Sequence, residues 1–293
     1  MHRYDEQLNI LITAALKEDI GDGDHSTLCC IPAGIMGKAV LKIKQDGILA
    51  GIKLAERIFK QNEPASLFIN HKNDGEPVKA GDIAFTIEAR VHTILQCERL
   101  VLNCMQRMSG IATLTRKYTD KLKGFKTKIL DTRKTTPNFR LLEKEAVRIG
   151  NAENHRMGLY DMIMLKDNHI DYCGGIEKAI QFAHHYVQIN KPHLQIEVET
   201  RTLDDVKRVV DTGQGKVARI MLDNFNPVMI VEALNIINGR FETEASGGIN
   251  LDNLIEYAQT GVDYVSIGAL IHQAQSLDLS LKAVNTIINE KEN

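Results

Sequence analysis

Two adjacent cations, three hydroxyls and a proline stand together in Asp131-Thr132-Arg133-Lys134-Thr135-Thr136-Pro137. Arginine presents a planar fork that grips a carboxylate or phosphate through two hydrogen bonds, and lysine adds a compact point charge. The segment reads as a site for several anionic oxygens, with Pro137 limiting the loop and Asn138 placed to cap the next helix. Asn154-His155-Arg156 and Lys166-Asp167-Asn168-His169 add two more cations and two histidines, and Arg99 and Arg107 lie upstream. Any one of these cations alone reads as a solvated surface charge. In a chain of net charge −2, Arg99, Arg133, Lys134, Arg156 and Lys166 together point to a small bound polyanion.

Carboxylates oppose them. Glu199 ends the run Gln195-Ile196-Glu197-Val198-Glu199, and Asp223 ends Ile220-Met221-Leu222-Asp223. In a strand of alternating faces Glu197 and Glu199 point the same way, one deeper and one shallower. Two hard oxygen donors beside phosphate oxygens are how a site holds Mg²⁺. The same carboxylates can instead pair with the neighbouring cations. Ser246-Gly247-Gly248-Ile249-Asn250 and Ser266-Ile267-Gly268-Ala269-Leu270 supply the other signal. Glycine lets backbone N–H groups close on phosphate, and loops after the last strands of an α/β barrel are a usual phosphate site. Asn250 is expected to cap the helix that follows.

These residues need a scaffold that brings them together. From about residue 127 short apolar runs alternate with helical patterns, giving candidate strands at 127–130, 162–165, 195–198, 219–222, 243–245 and 264–267. The residues just past them are Asp131, Lys166, Glu199, Asp223, Ser246 and Gly268, spaced 22 to 35 apart, which is the length of a βα unit. Parallel strands with helical crossovers gather their C-terminal ends on one rim, where barrel enzymes keep their chemistry. Six strands are fewer than eight, so the expected fold is an irregular, incomplete α/β barrel.

Ahead of it, residues 8–17 carry apolar side chains at helical spacing, and residues 37–51, 67–70 and 83–87 read as strands with a turn at 76–82. A long helix-compatible run covers 92–118. The predicted division is a mixed α+β domain at 1–113 and the barrel at 114–275, with a C-terminal helix at about 276–293 packed on the first domain.

Bulk properties narrow the class. At 293 residues, 43% hydrophobic and 25% charged, the chain is a globular α/β protein in composition, not a disordered or fibrous one. The near-neutral balance excludes the broad basic field of a non-specific nucleic-acid binder. Five cysteines with no CxxC pair support neither a zinc site nor a disulfide framework and fit a reducing cytoplasm. No stretch reaches the ~18 apolar residues of a membrane span.

ERLVLNCMQRMSGIAT (98–113), DTRKTTP, NHRMGLYD (154–161), MLKDNH (164–169), IEVE (196–199), MLDNF (221–225), ASGGIN (245–250) and VSIGALIH (265–272), preceded by EDIGDGDHST (18–27), stand in an order that resembles the quinolinate phosphoribosyltransferases. The resemblance covers nearly the whole chain. It implies an N-terminal mixed domain and an irregular barrel, Mg²⁺ as cofactor, and quinolinate with phosphoribosyl pyrophosphate as substrates. It also implies a homodimer in which Arg99 enters the partner's site. By matching positions it assigns Arg99, Arg133, His155, Arg156 and Lys166 to the quinolinate carboxylates, with Thr132 and Lys134 beside them. It makes Glu199 and Asp223 metal and ribose carboxylates, and Ser246, Gly247, Gly248, Gly268 and His272 the phosphate side. Lys134, Lys166, Glu199 and Asp223 are the residues expected to serve the chemical step. The chain departs from the family's usual residues at Asn138, at Asn151-Ala152 and at Ala245. A relative acting on another ring, such as those associated with molybdenum transport, and a catalytically silent binding protein on the same scaffold are the alternatives.

Overall fold

The computed structural model describes residues 2–284, which divide into two compact units. The first contains residues up to 114 together with 136–150 and the segment from 274, and the second contains 115–135 and 151–273.

The first unit opens with α1 (His2–Ile20) and the short α2 (His25–Cys30). Strands β1 (Met36–Ile43) and β2 (Gly47–Ile48) lead to α3 (Ile52–Asn62), then β3 (Leu67–Asn70), β4 (Pro77–Val78), β5 (Ile83–Arg90) and the long α4 (Val91–Lys121). Helix α3 begins where Asp74 Oδ1 accepts from the amides of Gly51 and Ile52 at 2.6 and 2.8 Å, satisfying donors that the first turn leaves open. It buries Ile52, Ala55, Ile58 and Phe59, and Phe59 meets Phe85, whose ring stacks on Phe68 at 4.4 Å.

The second unit is built on β6 (Lys128–Leu130). Helix α5 (Arg140–Ile149), next in sequence, belongs to the first unit and not to the barrel. Then come β7 (Ile163–Leu165), α6 (Asp167–Cys173), α7 (Ile176–Asn190), β8 (Ile196–Thr200), α8 (Leu203–Gly213), β9 (Arg219–Asp223), α9 (Pro227–Ile237), β10 (Glu242–Ser246), α10 (Leu254–Gln259), β11 (Tyr264–Ser266) and α11 (Ala269–His272). The strands run parallel in the order β6-β11-β10-β9-β8-β7. The ladder is open between β6 and β7, where a single parallel bridge joins Leu130 to Glu153. The barrel is therefore incomplete, as expected. Ile196, Val198, Ile220, Leu222 and Ala245 are buried on one set of alternate positions. The other set, Glu197, Glu199, Arg219, Met221, Asp223, Glu244 and Ser246, forms the barrel interior and its rim.

The chain returns as β12 (Leu279–Val284), paired antiparallel with β1 so that the first unit's sheet runs β12-β1-β5-β3. This overturns the helix expected at about 276–293: Leu277, Leu279 and Leu281 are buried at a period of two, which is strand spacing. The rest of that expected helix, 285–293, lies outside the described residues. The returning segment passes so close to α4 that a Cβ on Gly110 would lie 2.8 Å from the Gln275 carbonyl carbon, which accounts for glycine in the middle of a helix.

Candidate active site

Thirteen of the predicted residues line one cavity of about 1010 Å³ at the C-terminal ends of the barrel strands. They are Thr132, Arg133, Lys134, His155, Arg156, Lys166, Glu199, Asp223, Ser246, Gly247, Gly248, Gly268 and His272. Arg99 is not among them; it is exposed on α4 in the first unit.

Strand order sets the charge order. Arg133 and Lys134 follow β6, His155 and Arg156 follow the bridging residue Glu153, and Lys166 follows β7, so the cations occupy neighbouring positions. Glu199 and Asp223 come next at β8 and β9, and the glycine loops after β10 and β11 complete the circuit back to β6. Arg156 is buried, and both burial and the like charge of Arg133 push its pKa down. Two cations held close enough to repel mark a place where an anion is favoured.

Lys166 Nζ donates to Glu199 Oε2 at 2.6 Å, joining the cationic and acidic sectors. Asp223 accepts from Ser246 Oγ at 2.6 Å and from Asn224 Nδ2 at 2.8 Å, and the Asn224 amide donates to the Ser246 carbonyl at 2.8 Å. Gly247 and Gly248 both have left-handed φ, +91° and +65°. Their loop is tied by Asn253 Nδ2, which donates to the Gly248 carbonyl at 3.1 Å. Asn250 does not cap α10, which starts at Leu254 behind Asn253; its Oδ1 instead accepts from the Asp252 amide at 2.8 Å and shapes the loop. Nor does Asn138 cap α5. It takes φ +62°, as Asn151 takes +72°, a conformation that asparagine tolerates better than other side chains. These two departures thus adopt a backbone conformation that glycine ordinarily supplies, and Ala245 is wholly buried.

Beneath the cavity lies a polar floor that sequence reasoning assigned only in part. His155 Nε2 is 3.0 Å from Glu197 Oε2 and 3.3 Å from Glu244 Oε2. Arg219 donates to Glu244 Oε2 at 3.0 Å and to Glu242, and lies 4.0 Å over the Tyr264 ring. Burial opposes a charge on His155, but the two glutamates outweigh it and push its pKa up to about 9. Burial and the Glu244 charge also raise the Glu197 carboxyl, while His155, Ser266 and Arg219 overcome burial to hold Glu244 low. His155 Nδ1 accepts the Arg156 amide at 2.7 Å, and a nitrogen that accepts an N–H cannot also carry a proton. Nε2 is therefore the nitrogen that carries the ring's N–H. Arg219, Glu242 and Glu244 were missed; their signal was charge inside parallel strands that are ordinarily apolar.

His155, Glu197 and Glu244 are also the one group of three or more metal-ligating residue types brought together among the described residues. Within it Glu244 Oε2 accepts from Arg219 at 3.0 Å, while His155 Nε2, both Glu197 oxygens and Glu244 Oε1 are buried with no hydrogen-bond partner. Glu199 and Asp223, at adjacent strand ends facing the cavity, suit Mg²⁺ better, since that ion is held by one or two carboxylates plus substrate phosphates. The five cysteines are free thiols, and no helix among the described residues is long and apolar enough to cross a membrane.

The profiles of the quinolinate phosphoribosyl transferase N-terminal and C-terminal domains match residues 24–109 and 111–282. The chain is 46% identical over 285 residues to quinolinate phosphoribosyltransferase [decarboxylating] 1b of Nicotiana tabacum, covering 93% of this chain and 81% of the relative. It is 41% identical to a probable nicotinate-nucleotide pyrophosphorylase [carboxylating] of Synechocystis sp., covering 92% and 90%. The crystal structure of NadC from Streptococcus pyogenes superposes with a TM-score of 0.88 at 38% identity, covering 95% of this chain and 98% of that one.

Proposed function

The chain belongs to the quinolinate phosphoribosyltransferase family, and from that premise we propose how its cavity carries out the family reaction. The enzyme transfers the phosphoribosyl group of phosphoribosyl pyrophosphate to quinolinate with loss of CO₂, giving nicotinate mononucleotide and pyrophosphate for NAD biosynthesis. The observation that carries the reading is the order of charge around the rim: contiguous cations, then two carboxylates, then two glycine loops.

Arg133 and Arg156 hold the two ring carboxylates, with Thr132, Lys134 and Lys166 beside them. Forked guanidinium contacts fix the ring plane and aim its nitrogen at the ribose C1, where positioning supplies much of the rate. Ser246, Gly247, Gly248, Gly268 and His272 receive the phosphates through backbone N–H groups and side-chain donors. Glu199 and Asp223 hold Mg²⁺, which when bound neutralises charge on the departing pyrophosphate. The same carboxylates face the positive charge that develops at C1 as the C1–pyrophosphate bond breaks. Once its nitrogen is alkylated, the ring is cationic, and the adjacent carboxylate leaves as CO₂ because the electron pair left behind lies beside that charge; the ring carbon then takes a proton from water. No protein nucleophile is needed.

The exposed Arg99 serves a partner's cavity in a homodimer. Free thiols and the lack of a membrane-spanning helix among the described residues favour a cytoplasmic enzyme. Incubation with quinolinate, phosphoribosyl pyrophosphate and Mg²⁺ is expected to release CO₂ and form the mononucleotide. Turnover of nicotinic acid or another ring, with none of quinolinate, overturns the assignment.

A further inference from the structure

We propose that Asp161 is a positioning residue for quinolinate: it clasps the turn that follows Arg156 and so fixes the aim of that guanidinium into the cavity. This rests on the reading of the cavity as the quinolinate site. The family resemblance gives Asp161 no role, and its side chain lies outside the cavity lining.

Arg156 stands on the open side of the barrel, between the bridge at Glu153 and the start of β7 at Ile163. A single bridge there takes the place of a ladder, so the direction of the Arg156 side chain depends on how the loop 156–162 is closed. Asp161 closes it. Its Oδ2 accepts from the Met157 amide at 2.6 Å and its Oδ1 from the Gly158 amide at 2.9 Å. These are the two peptide N–H groups directly after Arg156, and each carboxylate oxygen takes one. The next residue holds the guanidinium itself, since the Met162 carbonyl accepts from Arg156 Nη1 at 3.2 Å. Backbone and side chain are thus both tied to the consecutive residues 161 and 162, immediately before β7. Gly158 permits so tight a turn, because a Cβ there would stand 2.5 Å from Tyr160 Cε1. The carboxylate also contributes charge: burial and Arg133 work against the charged form of Arg156, and Glu197 and Asp161 oppose them. Asparagine cannot take its place, because its amide nitrogen would face one of the two N–H groups donor to donor.

The test is a double-mutant cycle on quinolinate binding, measured by calorimetry with Asp161→Asn, Arg156→Ala and the double variant. Asp161→Asn is expected to weaken binding about tenfold, the effect of losing one charge-assisted hydrogen bond. Because Asp161 acts through Arg156, the double variant should bind within about twofold of Arg156→Ala alone. An unchanged dissociation constant in Asp161→Asn, or losses that multiply in the double variant, overturns the inference. Steady-state kinetics separates positioning from general damage: Asp161→Asn should raise the KM for quinolinate and leave that for phosphoribosyl pyrophosphate unchanged, and equal rises in both count against the clasp. A measurement on the unmodified enzyme needs no variant to fold. Hydrogen exchange followed by NMR should find the Met157 and Gly158 amides protected, and rapid exchange at both sinks the proposal. If the unmodified enzyme fails to bind quinolinate, the assignment of the cavity falls, while the protection of these two amides still decides whether Asp161 clasps the turn.

Discussion

Replacing Gly247 and Gly248 separately by alanine isolates what the phosphate-side loop needs from each. Both residues have left-handed φ, +91° and +65°, so alanine at either costs about 1 kcal/mol in backbone strain. At Gly248 nothing lies within 4 Å of the new Cβ, and strain is the whole effect. At Gly247 the Cβ would stand 2.7 Å from Asn224 Cγ and 3.0 Å from the Asn224 backbone nitrogen. Asn224 has to move, and it is held by its amide on the Ser246 carbonyl and by Nδ2 on Asp223. Losing a neutral and a charge-assisted hydrogen bond adds about 2 to 4 kcal/mol. Gly247→Ala should therefore lose roughly three times as much stability as Gly248→Ala or more. It should also raise the KM for phosphoribosyl pyrophosphate, because the displaced side chain orients the Asp223 carboxylate. Parallel denaturant titrations and Michaelis curves measure both effects. Equal stability losses, or a normal KM in Gly247→Ala, refute the reasoning.

Arg133→Ala removes a charged fork from the ring carboxylates and should weaken quinolinate binding about 10- to 100-fold with little change for the ribosyl donor; an unchanged dissociation constant removes Arg133 from the pocket. Chelation should abolish turnover and Glu199→Gln should raise the Mg²⁺ concentration for half-maximal rate, whereas an unaltered Mg²⁺ dependence excludes Glu199 as a ligand. Mixing an Arg99→Ala chain with a Lys134→Ala chain should restore activity in hybrid dimers, since some sites then have both residues; no rescue argues against a shared site. Away from the site, hydrogen bonds from Arg208 hold the Glu177 carboxyl down at about 2 from an ordinary 4.5. A depressed carboxylate contributes stability above its unfolded pKa and loses it as pH falls through the folded one, so this pair's contribution fades from about pH 4.5 to about 2. Arg208→Ala should return the Glu177 titration toward its ordinary value, and an unmoved NMR midpoint contradicts that.

The barrel was legible because its strands are short apolar runs ended by charge or glycine, and each of the six residues just past them lines the cavity. Less legible was which unit each element joins. Nothing local to Arg140–Ile149 says that a helix placed between two barrel strands belongs to the other unit, because that is decided by tertiary contact and not by period. The last strand was misread although its period of two was present in Leu277, Leu279 and Leu281. The missed α3 begins on an Asp74 carboxylate about twenty residues downstream, and a long-range cap leaves no sequence signature of the S/T-x-x-E kind.

The site shows the same limit in sharper form. Alternation placed Glu197 and Glu199 on one face at different depths, and the structure separates them by environment: Glu199 meets Lys166 at the rim, while Glu197 meets His155 on the floor. Depth decides what each carboxylate can do. At the rim a charge remains available to solvent, metal and substrate, whereas on the floor it must be neutralised internally, because an isolated buried charge costs several kcal/mol. Register supplies that neutralisation, since Arg219 on β9 stands opposite Glu197 on β8 and Glu242 on β10 and forms its ion pairs with Glu242 and Glu244. One buried cation thus balances the floor while the cations of the rim stay directed at the ligand. A sequence lists these charges at equal weight; only the strand register tells which of them hold the barrel together and which face the substrate.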